Sequence, residues 1–250
     1  KKFRVWRLFE HKDMKVVILT GSQIRHRYYC NYLSKSLDVV GIITEPHSDY
    51  FNSQRKNSFV NEHFSNMKRY EEKYLNKYDG YPNCDVKYVS AGRVNDKENI
   101  DWAKKLNPDY ILLYGAGLLK DEWCNAFKDR IINLHLGLSP RYRGAATLFW
   151  TFFNDDLKNL GTTIHLANTI VDGGDILETV KIDMEDGDNY YDTTNKLFIK
   201  SVKNIPGVLK AYSKNSIQPK KQDKIEQKFY YKKKDFNEES LRKVLEKYYG

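Results

Sequence analysis

IINLHLGLSPRYRG (residues 131–144) runs from a β-branched apolar segment into an abrupt Pro-Arg-Gly turn, and it carries Asn133 and His135 two positions apart where the segment ends. Side chains alternate across a strand, so residues i and i+2 share a face and these two polar groups present themselves to one small volume. A core strand has no use for such a pair. In an open parallel sheet ligands bind beyond the carboxyl ends of the strands, and polar side chains at a strand's end then face the binding crevice.

Outward from this stretch the chain alternates strand and helix. KVVILTGS (15–22), DVVGIITEP (38–46) and YILLYGAGLL (110–119) are near-continuous apolar runs, the form expected of strands covered on both faces, and RIINLHLG (130–137) adds a further one. CDVKYVSAGRVND (84–96) predicts a strand and turn. QIRHRYYCNYLSKSL (23–37), KENIDWAKKLNPD (97–109) and KDEWCNAF (120–127) have helical spacing, and the second of these stops at Asn107-Pro108. Residues 48–77 are polar and aromatic with a loose helical period, predicting one long or two short exposed helices. AATLFWTFFNDD (145–156) reads as a helix, GTTIHLAN (161–168) and ILETVKID (176–183) as strands, and a helix is expected near 191–214. The pattern predicts an α/β fold: a doubly wound, mainly parallel, Rossmann-like sheet over 14–186, with an N-terminal extension at 1–13 and a small helical and basic C-terminal extension at 187–250.

Composition narrows the function. Of 250 residues, 40% are hydrophobic, enough for a sizeable core. No uncharged apolar run is long enough to cross a membrane. The first thirteen residues mix charge and aromatics without an apolar signal core, and Met14 heads the first strand as the expected natural start. Cys30, Cys84 and Cys124 are odd in number and lie inside ordinary apolar patterns, so no disulfide framework or structural metal is expected and a reducing cytoplasm fits. The net charge of +9 would attract any polyanion. However, lysine is spread along the chain, and the one dense run, KKQDKIEQKFYYKKK (220–234), alternates charge and tyrosine as a solvated tail does. A basic surface serving a phosphorylated small molecule is favoured over nucleic acid. The aromatic, basic segment at 217–249 could also form a homodimer contact.

The chemistry concentrates in two places. Pro140 and Gly144 make a rigid, sharply turning wall, while Arg141 and Arg143 offer cationic forks able to grip a carboxylate or phosphate. IVDGGDIL (170–177) brings Asp172, a candidate base or orienter, followed by two glycines that let backbone approach a ligand. A helix starting after Gly21-Ser22 would offer free N–H groups to a phosphate, with Arg25 and Arg27 in support; the alternative is that both arginines pair with acids on a solvent face. Tyr142, Phe149 and Trp150 could stack on a base or pack in the core, and helical spacing places Phe149 and Trp150 in the core. His165 alternates with apolar residues and is expected to have a structural partner; His26 and His63 belong to no evident constellation.

NLHLGLSPRYRGA, a helix, GTTIH and then VDGGDIL resemble in sequence the folate-dependent formyltransferase family, densely over 110–183 and more loosely over 14–46. The resemblance implies an Asn, His and Asp catalytic set at Asn133, His135 and Asp172, with 10-formyltetrahydrofolate as formyl donor. It also implies that backbone at Gly115, Ala116, Gly117, Leu118 and Leu119, and again at Asn168, Thr169 and onward to Asp172, holds the pterin. Asn133 and His135 would donate to the developing oxyanion. Asp172 would orient His135 and accept the amine proton. Within the family, methionyl-tRNA enzymes carry a further C-terminal β-barrel, for which little chain is left here. Glycinamide ribonucleotide enzymes carry a HPSLLP-type sequence that this chain replaces with HLGLSPRYRG. The latter, with LFW after it, is most similar to the sugar formyltransferases, so the expected acceptor is the amine of a nucleotide-linked amino sugar, bound by Arg25, Arg27, Arg141, Tyr142 and Arg143.

Overall fold

The computed structural model describes residues 14–46, 56–75 and 77–249. The expected N-terminal extension, and part of the predicted 48–77 helical region, lie outside the described residues. Strands β1 (Lys15–Thr20), β2 (Asp38–Thr44), β3 (Asp85–Tyr88), β4 (Tyr110–Tyr114) and β5 (Ile131–His135) pair in parallel, and β7 (Gly161–Leu166) and β8 (Ile176–Lys181) continue the sheet antiparallel, in the order β3-β2-β1-β4-β5-β7-β8. The doubly wound, mainly parallel α/β fold expected from the sequence is the fold observed. Helices α1 (Ile24–Leu33), α2 (Ser58–Tyr74), α3 (Lys97–Lys105), α4 (Asp121–Ala126), α5 (Thr147–Phe153), α6 (Tyr190–Ser213) and α7 (Glu238–Tyr248) surround the sheet, and a short strand β6 (Tyr142–Gly144) pairs in parallel with β9 (Phe229–Tyr231). Among the described residues no helix is long and apolar enough to cross a membrane.

β1 shows why the strands read as unbroken apolar runs. Val16 and Ile18 join the core under α1 and α6, while Val17 and Leu19 join the core on the opposite face, under α3 and α4. Burial on both faces removes the alternation that a half-exposed strand would show. Trp123 is fully buried on the second face, and its indole N–H donates to the Val94 carbonyl at 3.1 Å. α6 starts at Asn189, whose side chain accepts from the N–H groups of Tyr191 and Asp192, satisfying donors that the first turn leaves free.

Two expectations are corrected. β4 ends at Tyr114 and not at residue 119: Gly115 turns at φ +71, and the apolar stretch after it is a loop. The basic run at 220–234 is no solvated tail either. Phe229 stacks on Tyr142 at 4.9 Å between ring centroids and Tyr231 on Trp150 at 4.1 Å, so the segment is laid onto the body by its aromatic rings while Lys228, Lys232, Lys233 and Lys234 stay exposed. α7 follows, capped by Asn237 and buried through Leu241, Val244 and Leu245. Its Leu-x-x-Val-Leu spacing is a helical period legible in the sequence.

Candidate active site

The parallel strands end together at one cleft of about 780 Å³. β5 delivers Asn133, His135 follows on the same face, and antiparallel β7 sets His165 directly opposite Asn133. The Asn133 amide nitrogen lies 3.0 Å from His165 Nε2. His165 Nδ1 lies 2.8 Å from the Leu166 carbonyl, which can only accept, so Nδ1 carries the proton and Nε2 accepts from Asn133. One amide N–H of Asn133 remains for a ligand. His165 was expected to have a structural partner; its partner is the Asn133 amide itself, and it lines the cleft.

Asp172 reaches this pair from the β7–β8 loop. Its backbone is left-handed, φ +49, and its carboxylate takes the Gly144 N–H at 2.9 Å and lies 3.2 Å from His135 Nδ1 and 3.8 Å from His165 Nε2. Two glycines make this approach possible. Gly144 sits at φ +99 with a Cβ position filled by the Tyr231 backbone, and a Cβ on Gly174 would land on the Leu166 carbonyl. Burial acts to raise the carboxyl's pKa, but the charge and hydrogen bond of His135 and the Gly144 N–H outweigh it and hold Asp172 well below the usual carboxylate range. For His135 burial acts to lower the pKa, and the Asp172 charge, its hydrogen bond and the Tyr142 carbonyl outweigh that and raise it. Both ring nitrogens of His135 face acceptors, the Asp172 carboxylate and the Tyr142 carbonyl, which is the geometry of an imidazolium beside a carboxylate.

This arrangement revises one expected role. His135 Nε2 lies 2.9 Å from the Tyr142 carbonyl, so both ring N–H groups are engaged, and the free donor at the cleft is that of Asn133. The turn after β5 folds the Tyr142 carbonyl back over the ring. In this state His135 acts through its charge.

The residues expected at the folate pocket, Gly115 through Leu119 with Asn168 and Thr169, all line the cleft. Glu45, itself buried, accepts the backbone N–H groups of Gly117 and of Gly92, at 2.9 Å for the latter, and so braces the 115–119 loop from behind. Leu118 and Ile170, one from each loop, are 70% and 58% exposed at the same cleft. Two backbone-lined loops with apolar side chains at their tips fit a flat heteroaromatic ring whose edges read amide and carbonyl groups.

The expected substrate arginines fare differently. Arg25 lines the cleft, with its guanidinium 2.7 Å from the Glu71 carboxylate. Arg27 is not among the cleft residues and donates to the Ser22 carbonyl. Arg141 and Tyr142 point the other way: Arg141 Nε pairs with Asp156 at 2.5 Å and the Tyr142 hydroxyl donates to the same carboxylate at 2.9 Å, with Tyr142 fully buried. Arg143 clamps the Val171 carbonyl through Nε and Nη2. The cleft instead uses residues for which no ligand role was expected. His63, buried against Tyr191 with Nδ1 2.8 Å from its hydroxyl and pushed down to about 3 by burial and by Arg25, lies on the wall. Tyr230, Tyr231, Lys232 and Lys233 from the returning C-terminal segment line it too.

A model of the formyl transferase family matches residues 14–209. The methionyl-tRNA formyltransferase of Finegoldia magna is 32% identical over 142 residues, 56% of this chain and 46% of that protein. The chain spans a little under half the length of the first curated relatives it matches. Glycinamide ribonucleotide transformylase 1 from Symbiobacterium toebii superposes with TM-score 0.58 at 14% identity, covering 85% of this chain and 97% of that one. The formyltransferase PseJ from Anoxybacillus kamchatkensis, solved in complex with UDP-4,6-dideoxy-4-formamido-L-AltNAc and tetrahydrofolate, does so with TM-score 0.50 at 20% identity, covering 88% and 87%. At these identities the structural likenesses show the fold alone.

Proposed function

The chain belongs to the formyl transferase family, and on that premise we propose that it transfers the formyl group of 10-formyltetrahydrofolate to the amine of a nucleotide-linked amino sugar. The observation that carries the transfer chemistry is the convergence of Asn133, His135 and Asp172 on one cleft. The folate supplies an activated formyl carbon and a good leaving nitrogen. A neutral amine would bond to that carbon as the bond to the folate nitrogen breaks, and the proton shed by the amine would pass, by way of Asp172 or water, to that nitrogen, so that tetrahydrofolate leaves with its N–H restored. Asn133 offers its free N–H to the oxygen on which negative charge builds, and the His135 imidazolium adds a fixed positive charge nearby. Asp172 keeps His135 charged and accepts the proton shed by the attacking nitrogen, directly or through water. A nitrogen that has just become cationic is a strong acid, so a weakly basic carboxylate is sufficient.

The acceptor reading rests on the other half of the cleft. Phe64, Phe149, Tyr190 and Phe236 make an apolar wall for a sugar and base, and Lys232 and Lys233 place two cations on the lining where a diphosphate would be neutralised. Replacing both lysines by Ala is expected to raise KM for the nucleotide-linked acceptor about tenfold while leaving KM for the folate unchanged; steady-state kinetics with each substrate varied in turn checks this. Three free cysteines suit a reducing cytoplasm.

The curated relatives favour a second reading, in which the acceptor is the amino group of methionyl-tRNA. A net charge of +9 would serve that substrate as well. The test supplies 10-formyltetrahydrofolate with a panel of amino-sugar nucleotides, with glycinamide ribonucleotide, or with methionyl-tRNA. Release of tetrahydrofolate and a formylated product of the right mass only with a nucleotide sugar is expected; turnover only with the tRNA or only with the ribonucleotide removes the sugar reading.

A further inference from the structure

Asp172 holds a left-handed conformation, which Asp enters more readily than most residues and which the surrounding chain here holds in place. The enforcement comes from outside the loop. Gln222 spends both protons of its side-chain amide there, one on the Asp172 carbonyl and one on the Gly174 carbonyl, each at 2.7 Å. Ser139 Oγ adds a longer contact to the Asp172 carbonyl at 3.4 Å, and Arg143 grips the Val171 carbonyl just before it.

Gln222 lies in the chain that returns after α6. Two residues earlier, Lys220 exchanges backbone hydrogen bonds with Ile176 at 2.7 and 2.8 Å, which anchors the segment to the start of β8. The amide orientation is not free. Turning it over would face its oxygen to two carbonyl oxygens, so the NH₂ end must meet the loop. That leaves Gln222 Oε1 buried without a hydrogen-bond partner among the described residues, an arrangement in which the value of the side chain lies in its two donors.

We propose that Gln222 is a positioning residue for formyl transfer: by clamping the Asp172 and Gly174 carbonyls it fixes the backbone from which the Asp172 carboxylate reaches His135. The inference rests on the role given above to Asp172 and His135. Gln222 is not among the cleft residues and acts only through the loop. The chain beyond α6 is thereby tied to the reacting centre. His135 is faced by the Asp172 carboxylate, by the like charge of Arg143, which disfavours its protonation, and by the His165 ring, 6.3 Å away between centroids. If the loop slips, the 3.2 Å contact to Asp172 lengthens and the imidazolium loses its counter-charge.

The test compares the 250-residue chain with Gln222→Glu, which sets an oxygen where a donor stood, and with Gln222→Met, which keeps the length and drops only the polar groups. NMR titration of the His135 ring, with folate and acceptor absent, is expected to show His135 deprotonating at lower pH in both variants, by roughly half a unit or more. With substrates, kcat should fall about 10- to 100-fold, KM for the acceptor should stay within twofold, and the alkaline limb of the kcat profile should move to lower pH. Variants that melt earlier yet keep the wild-type titration and the wild-type kcat per folded molecule would overturn the proposal, because Gln222 would then be a fastener of the chain and nothing more. The titration needs no acceptor. A shift in His135 alongside wild-type protein that formylates no amine supports the clamp and removes the proposed activity.

Discussion

Asp172→Asn lowers kcat by a factor on the order of 10³, with the protein still folded and its affinity for folate little changed. Asparagine can keep the Gly144 N–H hydrogen bond at its Oδ1, so the loop retains one of its anchors. It supplies no charge to His135 and no basic oxygen for the amine proton. The buried imidazole then loses the interaction that holds it protonated, and the cleft loses a cation as well as a base. Rapid-quench measurement of the transfer step, beside a thermal melt, checks this; an Asn variant within tenfold of wild-type turnover removes Asp172 from the chemistry.

The same pair gives a dependence of stability on pH whose direction follows from the two shifts. Asp172 has a depressed folded-state pKa, so its contribution is fully present above the unfolded value of about 3.9 and is lost as the pH falls below it. His135 has a raised folded-state pKa, so its contribution is fully present below the unfolded value of about 6.5 and is lost as the pH rises through the folded value. Both terms operate together between those two values. The stability difference between wild type and Asp172→Asn, read from denaturant midpoints, is therefore expected to be largest near pH 5 and to shrink on the alkaline side. A difference that grows steadily from pH 5 to pH 9 would contradict the imidazolium–carboxylate assignment.

Asn133→Ala is expected to cost about 10²- to 10³-fold in kcat, the loss typical of one removed oxyanion donor. Nearly all of it should fall on kcat, because the N–H that matters meets an oxygen whose charge appears only during transfer. Asn133 is oriented by the His165 Nε2 acceptor at 3.0 Å. His165→Phe should therefore lower kcat too, by a smaller factor, since it frees the amide to rotate without removing it. Equal effects on KM and kcat for Asn133→Ala would assign Asn133 to ground-state binding instead.

Residues 131–144 carried the reading of the fold because their two signals are local. The unbroken apolar runs follow from burial on both faces, and the Asn-x-His spacing follows from the period of a strand; both are visible along the chain. The α/β class, the sheet's mainly parallel character and the convergence of Asn133, His135 and the 115–119 loop at the strand ends were legible for that reason. The period of α7 was equally local, in Leu241, Val244 and Leu245, and the surrounding lysines masked it.

What the tertiary structure decided lies between segments distant in sequence. Arg141, Tyr142 and Arg143 looked like ligands because they follow the catalytic strand, and β6 turned them toward Asp156, Phe229 and Val171. His165 looked structural until the antiparallel register of β5 and β7 set it opposite Asn133. The lysines at 232 and 233 reached the cleft, and Gln222 the carbonyls of the Asp172 loop behind it, by way of a segment that reads as a charged tail. Sequence periodicity states which face of its own element a residue occupies. Only packing states what faces it, because register and strand order are set by which apolar surfaces close on one another.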